Sequence, residues 1–272
     1  MKVFALFLIM TSFSSLQGNS PFWKRLPRDL QQDLQHIINV TGGIISSPLH
    51  WDSRQWGYVG TTIAFTAGAS LADAAIQQKA TTTRLPLLDH LFAIDAYHGS
   101  VSSGVLGVSL YSAGLLLNHP SVRRIGLQTI EAFYLSGTIN LLFKIIIGRR
   151  RPYASASPYE FQPFNGTTEY RSMPSGHVVT AFAVSTVMAH AYPHSLWQTI
   201  WYGSALLVAG ARIYHNAHWF SDVIPAAILG YAVGHYIVHL PDSPQHPQGA
   251  ITPQRRWSLI PGNGQLTLIL KF

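Results

Sequence analysis

The chain alternates long apolar blocks with short polar breaks. Blocks near 57–77, 90–117, 127–147, 177–192, 196–214 and 222–240 all exceed the ~10–12 residues that separate helices from strands, so six helices are predicted. Residues 22–56 are mixed and polar, with Pro27 and Pro48 as breaks, and predict only a short helix around Leu30–Ile38 within irregular chain. The pattern lapses from Tyr153 to Met173, where Pro158, Pro163, Gly166 and several aromatic residues mark a long loop. Beyond residue 240, Pro241, Pro244, Pro247 and Pro253 end the helical part. Trp257–Ile260 and Gln265–Leu270 flank Pro-Gly-Asn-Gly, with Leu266, Leu268 and Leu270 on one face, which reads as a short hairpin. A single hairpin cannot close a membrane barrel. At the other end, Lys2, the apolar run Val3–Met10 and the small residues Ser14, Ser15 and Gly18 read as an export signal or N-terminal anchor. That run is too short to span a bilayer.

Three polar interruptions carry candidate chemistry: Lys144-Ile-Ile-Ile-Gly-Arg-Arg-Arg151-Pro152, Pro174-Ser175-Gly176-His177, and Arg212-Ile-Tyr-His-Asn-Ala-His218-Trp-Phe-Ser-Asp222. Lys144 falls in the last turns of the third helix, and Pro152 turns the chain away from helix after Arg151. Ser175, Gly176 and His177 open the fourth helix, whose free N–H groups and positive dipole end suit a phosphate. Arg212 lies near the end of the fifth helix. His218 and Asp222 are one turn apart at the start of the sixth, so the carboxylate can reach back toward the imidazole. All three motifs therefore meet at one end of a bundle.

In order and spacing these motifs resemble the signature of the type 2 phosphatidic acid phosphatase (PAP2) superfamily, which includes bacterial class A acid phosphatases and vanadium haloperoxidases. The resemblance implies an all-α fold, a six-helix bundle here carrying a short C-terminal β-hairpin. It also implies a site without metal or other cofactor, in which fixed cations neutralise phosphoryl charge. Lys144, Arg151 and Arg212 are those cations, with Ser175 and the N–H of Gly176 on the phosphoryl oxygens. His218 is then the nucleophile that forms a phosphohistidine, Asp222 orients its imidazole, and His177 protonates the leaving oxygen and later activates water. Alone, Lys144 reads as a snorkelling lysine, and Arg149 and Arg150 as a solvated or headgroup-facing cluster; only Arg151 is carried over. Ala211 stands where the family usually has Ser, which removes one hydrogen bond and no catalytic group.

Composition sets the surroundings. Charged residues are 11% of 272, against about 25% in soluble domains, while mean hydropathy is only +0.17. A formal charge of +7 is scattered or held in the motifs, forming no nucleic-acid stripe; it suits anionic phosphates or lipid headgroups. The absence of cysteine excludes disulfides and thiol chemistry. The expected organisation is an export signal or anchor over 1–20, an N-terminal extension over 21–56, a helical phosphatase domain over 57–240, and a Pro-rich linker with hairpin over 241–272. The substrate expected is a phosphorylated lipid, of phosphatidic acid or isoprenyl diphosphate type, or a small phosphate ester, met in a bacterial cell envelope. If all six helices crossed the membrane after an exported amino end, the site would face the cytoplasm. Either the stretch 57–77, which carries Asp73, does not span, or the chain is a soluble periplasmic bundle. A soluble acid phosphatase, a haloperoxidase and a non-catalytic membrane binding module are the other readings.

Overall fold

The computed structural model describes residues 21–240 and the strand residues 256–262 and 265–271; the export-signal or anchor reading of 1–20 and the Pro-rich stretch 241–255 lie outside them. Nine α-helices lie among the described residues: α1 (Pro21–Ser46), α2 (Ser53–Ser70), α3 (Asp73–Thr82), α4 (Pro86–Phe92), α5 (Val101–Leu116), α6 (Pro120–Ile147), α7 (Gly176–Ala191), α8 (Ser195–Tyr214) and α9 (Phe220–His239). All six expected blocks are helical, and two of them are broken. The first bends by 56° between α2 and α3, and the second by 50° between the α4 segment and α5.

Helix α7 is the axis of the bundle. Val178, Val179, Ala181, Ala183, Val184 and Val187 are all buried on it, packed by α6, α8 and α9. Helix α9 approaches α7 backbone to backbone. A Cβ at Gly230 would lie 2.2 Å from the Val179 carbonyl oxygen, and one at Gly234 would lie 2.6 Å from that of Ala183. Only glycine fits there, and small residues four apart are how helices meet closely in an apolar medium. Leu141, Leu142, Ile146, Leu206 and Ile228 are exposed on the outer surface. By length and composition α6 and α9 are long and apolar enough to cross a membrane, and the two bent pairs qualify as broken spans.

The N-terminal region differs from expectation. A single 26-residue helix, α1, runs through Pro27, which costs about 3 kcal/mol in a helix interior. Tertiary ion pairs offset that cost: Asp29 pairs with Arg123 at 2.9 Å, Tyr111 donates to Asp33 at 2.7 Å, His36 meets Glu131 at 2.9 Å, and Val40 enters the core. These four positions form one helical stripe. The polar face of α1 thus turns inward, and Leu30, Leu34, Ile38 and Ile45 are exposed.

The long loop between α6 and α7 is present, interrupted by one short turn of 3₁₀ helix at Thr168–Tyr170. Helix α6 stops at Gly148, which adopts φ 58° and whose N–H closes on the Lys144 carbonyl. The C-terminal residues form a separate unit, in which β1 (Arg256–Gly262) pairs antiparallel with β2 (Gln265–Lys271), Leu259 opposite Leu268. The strands run past the expected Ile260 to Gly262.

Candidate active site

The three arginines after Gly148 leave in different directions, because extended backbone pairs Arg149 with Phe161 across the loop and side chains alternate along it. Arg150 turns outward to Glu160 at 2.8 Å. Arg151 turns toward the other motifs, donating to the carbonyls of Thr168 at 3.2 Å and Ala217 at 3.3 Å. Lys144, 8% exposed, donates to the Arg171 carbonyl at 2.8 Å.

Ser175 caps α7 without a side-chain hydrogen bond, so the N–H groups of the first turn are left for another acceptor. The Ser175 hydroxyl is buried without a partner. A Cβ at Gly176 would lie 3.8 Å from Lys144 Cε and 3.9 Å from Nζ. The lysine ammonium therefore stands beside the positive end of α7, an arrangement that suits an anion. The Ser175 N–H donates to the Asp222 carbonyl at 3.1 Å, tying the second motif to the third.

Past α8 the chain closes on Arg212, whose carbonyl accepts from the N–H groups of Ala217 at 3.1 Å and His218 at 3.2 Å. His218 is 1% exposed, and its Nδ1 lies 3.6 Å from Asp222 Oδ2, longer than a hydrogen bond. Burial pushes the imidazole down to about 3; Asp222 works against this, and Lys144 and Arg151 add to it. The ring is neutral at ordinary pH. His177, half-buried in the first turn of α7, lies within electrostatic reach of Arg212, Asp95, Lys144 and Arg151. Lys144 in turn feels both Arg151 and Arg212. Asp95 beside Arg212 and Asp222 near Lys144 and Arg151 offset part of this like-charge repulsion, and an anion among the three cations would offset more.

All eight residues singled out in the sequence come together at this end of the bundle. Three more were missed. Arg149 is not a solvated cation: it is 2% exposed and pairs with Asp222 at 2.8 Å and Asp73 at 2.7 Å. Asp73 opens α3 just past the first bend. Asp95, in the second bend, accepts from Arg212 at 2.8 Å and meets His215 at 3.1 Å. Each broken helix thus delivers one aspartate to one arginine. A lone carboxylate in an apolar block was the available signal, since buried charge requires a partner.

The fold and site define a helical bundle with one end built from three cations, a helix N-terminus and two histidines. Residues 126–244, which hold all three motifs, match the model of the PAP2 superfamily. Among similar curated proteins, a lipid A 1-phosphatase of Rhizobium etli is 31% identical over 108 residues, covering 39% of this chain and 46% of that protein. An undecaprenyl-diphosphatase of Sulfolobus acidocaldarius is 29% identical over 117 residues, covering 43% and 55%. The chain spans about half the length of these curated relatives. A transmembrane PAP2-type phosphatidylglycerolphosphate phosphatase of Bacillus subtilis shares the fold, with TM-score 0.50 and 22% identity over 65% of this chain and 92% of that one.

Proposed function

We propose that this protein is a metal-independent phosphatase that hydrolyses a lipid phosphate or diphosphate through a phosphohistidine. One observation carries the reading: a neutral, buried His218 backed by Asp222 sits among Lys144, Arg151 and the open N-terminus of α7. Asp222 faces Nδ1, so Nε2 is the nitrogen left to attack phosphorus. As the P–N bond forms and the P–O bond breaks, His177 gives its proton to the leaving oxygen. His177 then takes a proton from water, which attacks phosphorus and expels Nε2, releasing phosphate. Lys144, Arg151, Arg212, the Ser175 hydroxyl and the Gly176 N–H bind the phosphoryl oxygens throughout. Asp222 stabilises the positive charge that the imidazole acquires.

The names of the relatives, lipid A 1-phosphatase and undecaprenyl-diphosphatase, support a lipid substrate. The apolar α6 and α9 support a place in a bacterial inner membrane, and after an exported amino end the site faces the periplasm when the α2–α3 pair does not span. Residues 57–240 serve as the phosphatase domain, and α1 as an extension docked on it.

The test is phosphate release by purified protein in EDTA from a lipid phosphate, an isoprenyl diphosphate and a soluble aryl phosphate, with His218→Ala as control. Turnover of the lipids alone, lost in the variant, is the expected result. Rapid turnover of the aryl phosphate moves the protein to a soluble-type acid phosphatase, and release that survives in His218→Ala removes the proposed nucleophile.

A further inference from the structure

We propose that Asp73 and Arg149 form a positioning pair that sets the orientation and charge of Asp222, and through it the reactivity of His218. The proposal rests on the reading of His218 as nucleophile and extends the site to a helix outside the three motifs.

Arg149 has no donor left for substrate. Its Nε donates to the Pro158 carbonyl at 3.0 Å, Nη1 to Ser221 Oγ at 2.7 Å and Asp222 Oδ1 at 2.8 Å, and Nη2 to Asp73 Oδ2 at 2.7 Å and the Pro158 carbonyl at 2.7 Å. Those are the five N–H groups a guanidinium possesses. Asp73, fully buried, accepts in addition from the Ser221 N–H at 2.8 Å and the Ser221 hydroxyl at 2.6 Å. It thereby caps the first turn of α9 from a different helix.

Asp222 is then fixed from several sides: Arg149 holds Oδ1, while the Trp219 N–H at 2.9 Å and the Ser172 hydroxyl hold Oδ2. Only the approach to His218 Nδ1 remains. The charge count gives the pair its second effect. With Arg149 alone, Asp222 would be neutralised and would do little for a positive imidazole. Asp73 shares the guanidinium, so two carboxylates and one cation leave a net negative charge behind His218. A purely mechanical staple would need no such excess.

The discriminating variant is Asp73→Asn in the full chain in detergent. It keeps the shape and one acceptor and removes the charge. We expect kcat to fall about 100-fold, the size of effect that slight misplacement of a reacting group produces, with KM unchanged, because Asp73 touches no substrate. The ¹⁵N resonances of His218, assigned by difference with His218→Gln, are expected to show loss of a single Nδ1–H tautomer. A lowered melting temperature with wild-type kcat below the melt, and an unchanged tautomer, would reduce the pair to a staple and overturn the proposal. If wild-type protein releases no phosphate from any substrate, the function fails, whereas the tautomer measurement still decides the pairing. Should Asp73→Asn not fold, Ser221→Ala removes the hydroxyl shared by Asp73 and Arg149. A drop in kcat at constant KM supports the proposal there, and unaltered kcat refutes it.

Discussion

Arg149 and Arg151 are two residues apart, carry the same charge, and should differ sharply in what replacement does to stability. Arg149→Ala leaves Asp73 and Asp222 facing each other in a buried site. Breaking a buried ion pair by removing one partner costs about 3–5 kcal/mol, and two carboxylates lose their partner here. At about 2–4 °C per kcal/mol for a unit of this size, the melting temperature should drop by roughly 6–20 °C. Arg151 makes two long hydrogen bonds to backbone carbonyls, at 3.2 and 3.3 Å. Losing these costs about 1 kcal/mol, a shift of only a few degrees. In the proposed mechanism, however, Arg151 supplies a cation to the phosphoryl group, and removing one such donor typically lowers kcat by about 10²–10³. Thermal unfolding in detergent and phosphate release at a temperature below both transitions separate the two effects. An Arg149→Ala as stable as wild type beside an unstable, active Arg151→Ala would refute the assignment of the two side chains.

Asp222→Asn is expected to cut kcat by about 10²–10⁴, approaching the loss when the aspartate behind a catalytic histidine becomes an amide; steady-state kinetics with wild-type activity would refute its role. Because burial holds His218 near 3, well under the ordinary histidine value of 6.5, the unfolded chain binds a proton between these values that the folded chain does not. Stability contributed by neutral His218 is therefore complete above pH 6.5 and lost as pH falls toward 3. Melting temperatures from pH 7 to pH 4 should decline less steeply for His218→Gln than for wild type, and equal slopes would contradict the burial. Gly234→Val forces a side chain against the Ala183 carbonyl and should destabilise by about 1–3 kcal/mol through overpacking, read as a lower melting temperature.

The helices and the eight motif residues were legible because both signals are local: apolar blocks of helical length, and charged residues at fixed spacing around helix ends. What escaped was set by partners distant in sequence. Arg149 looked like its neighbours Arg150 and Arg151 because strand alternation inside a loop has no clear mark in a run of three identical residues. Asp73 counted only as an obstacle to crossing a membrane, although a carboxylate in a stretch rich in Ala, Thr and Gly already implied a cation elsewhere. The role of Asp95 depends on a bend that the block 90–117 concealed. Helix α1 was shortened at Pro27 because proline is read locally, whereas Arg123, Tyr111 and Glu131 supply the compensating contacts from α5 and α6.

The bond from the Ser175 N–H to the Asp222 carbonyl has an evolutionary consequence. Every residue except proline can make it, so the offset between the start of α7 and the start of α9 does not depend on which side chains occupy either position. Under the proposed function, exchange of the hydroxyl at Ser175, or of the residues around it, would alter which phosphate esters are accepted without disturbing the distance over which the transfer occurs. Substrate range can drift while the reaction geometry is inherited.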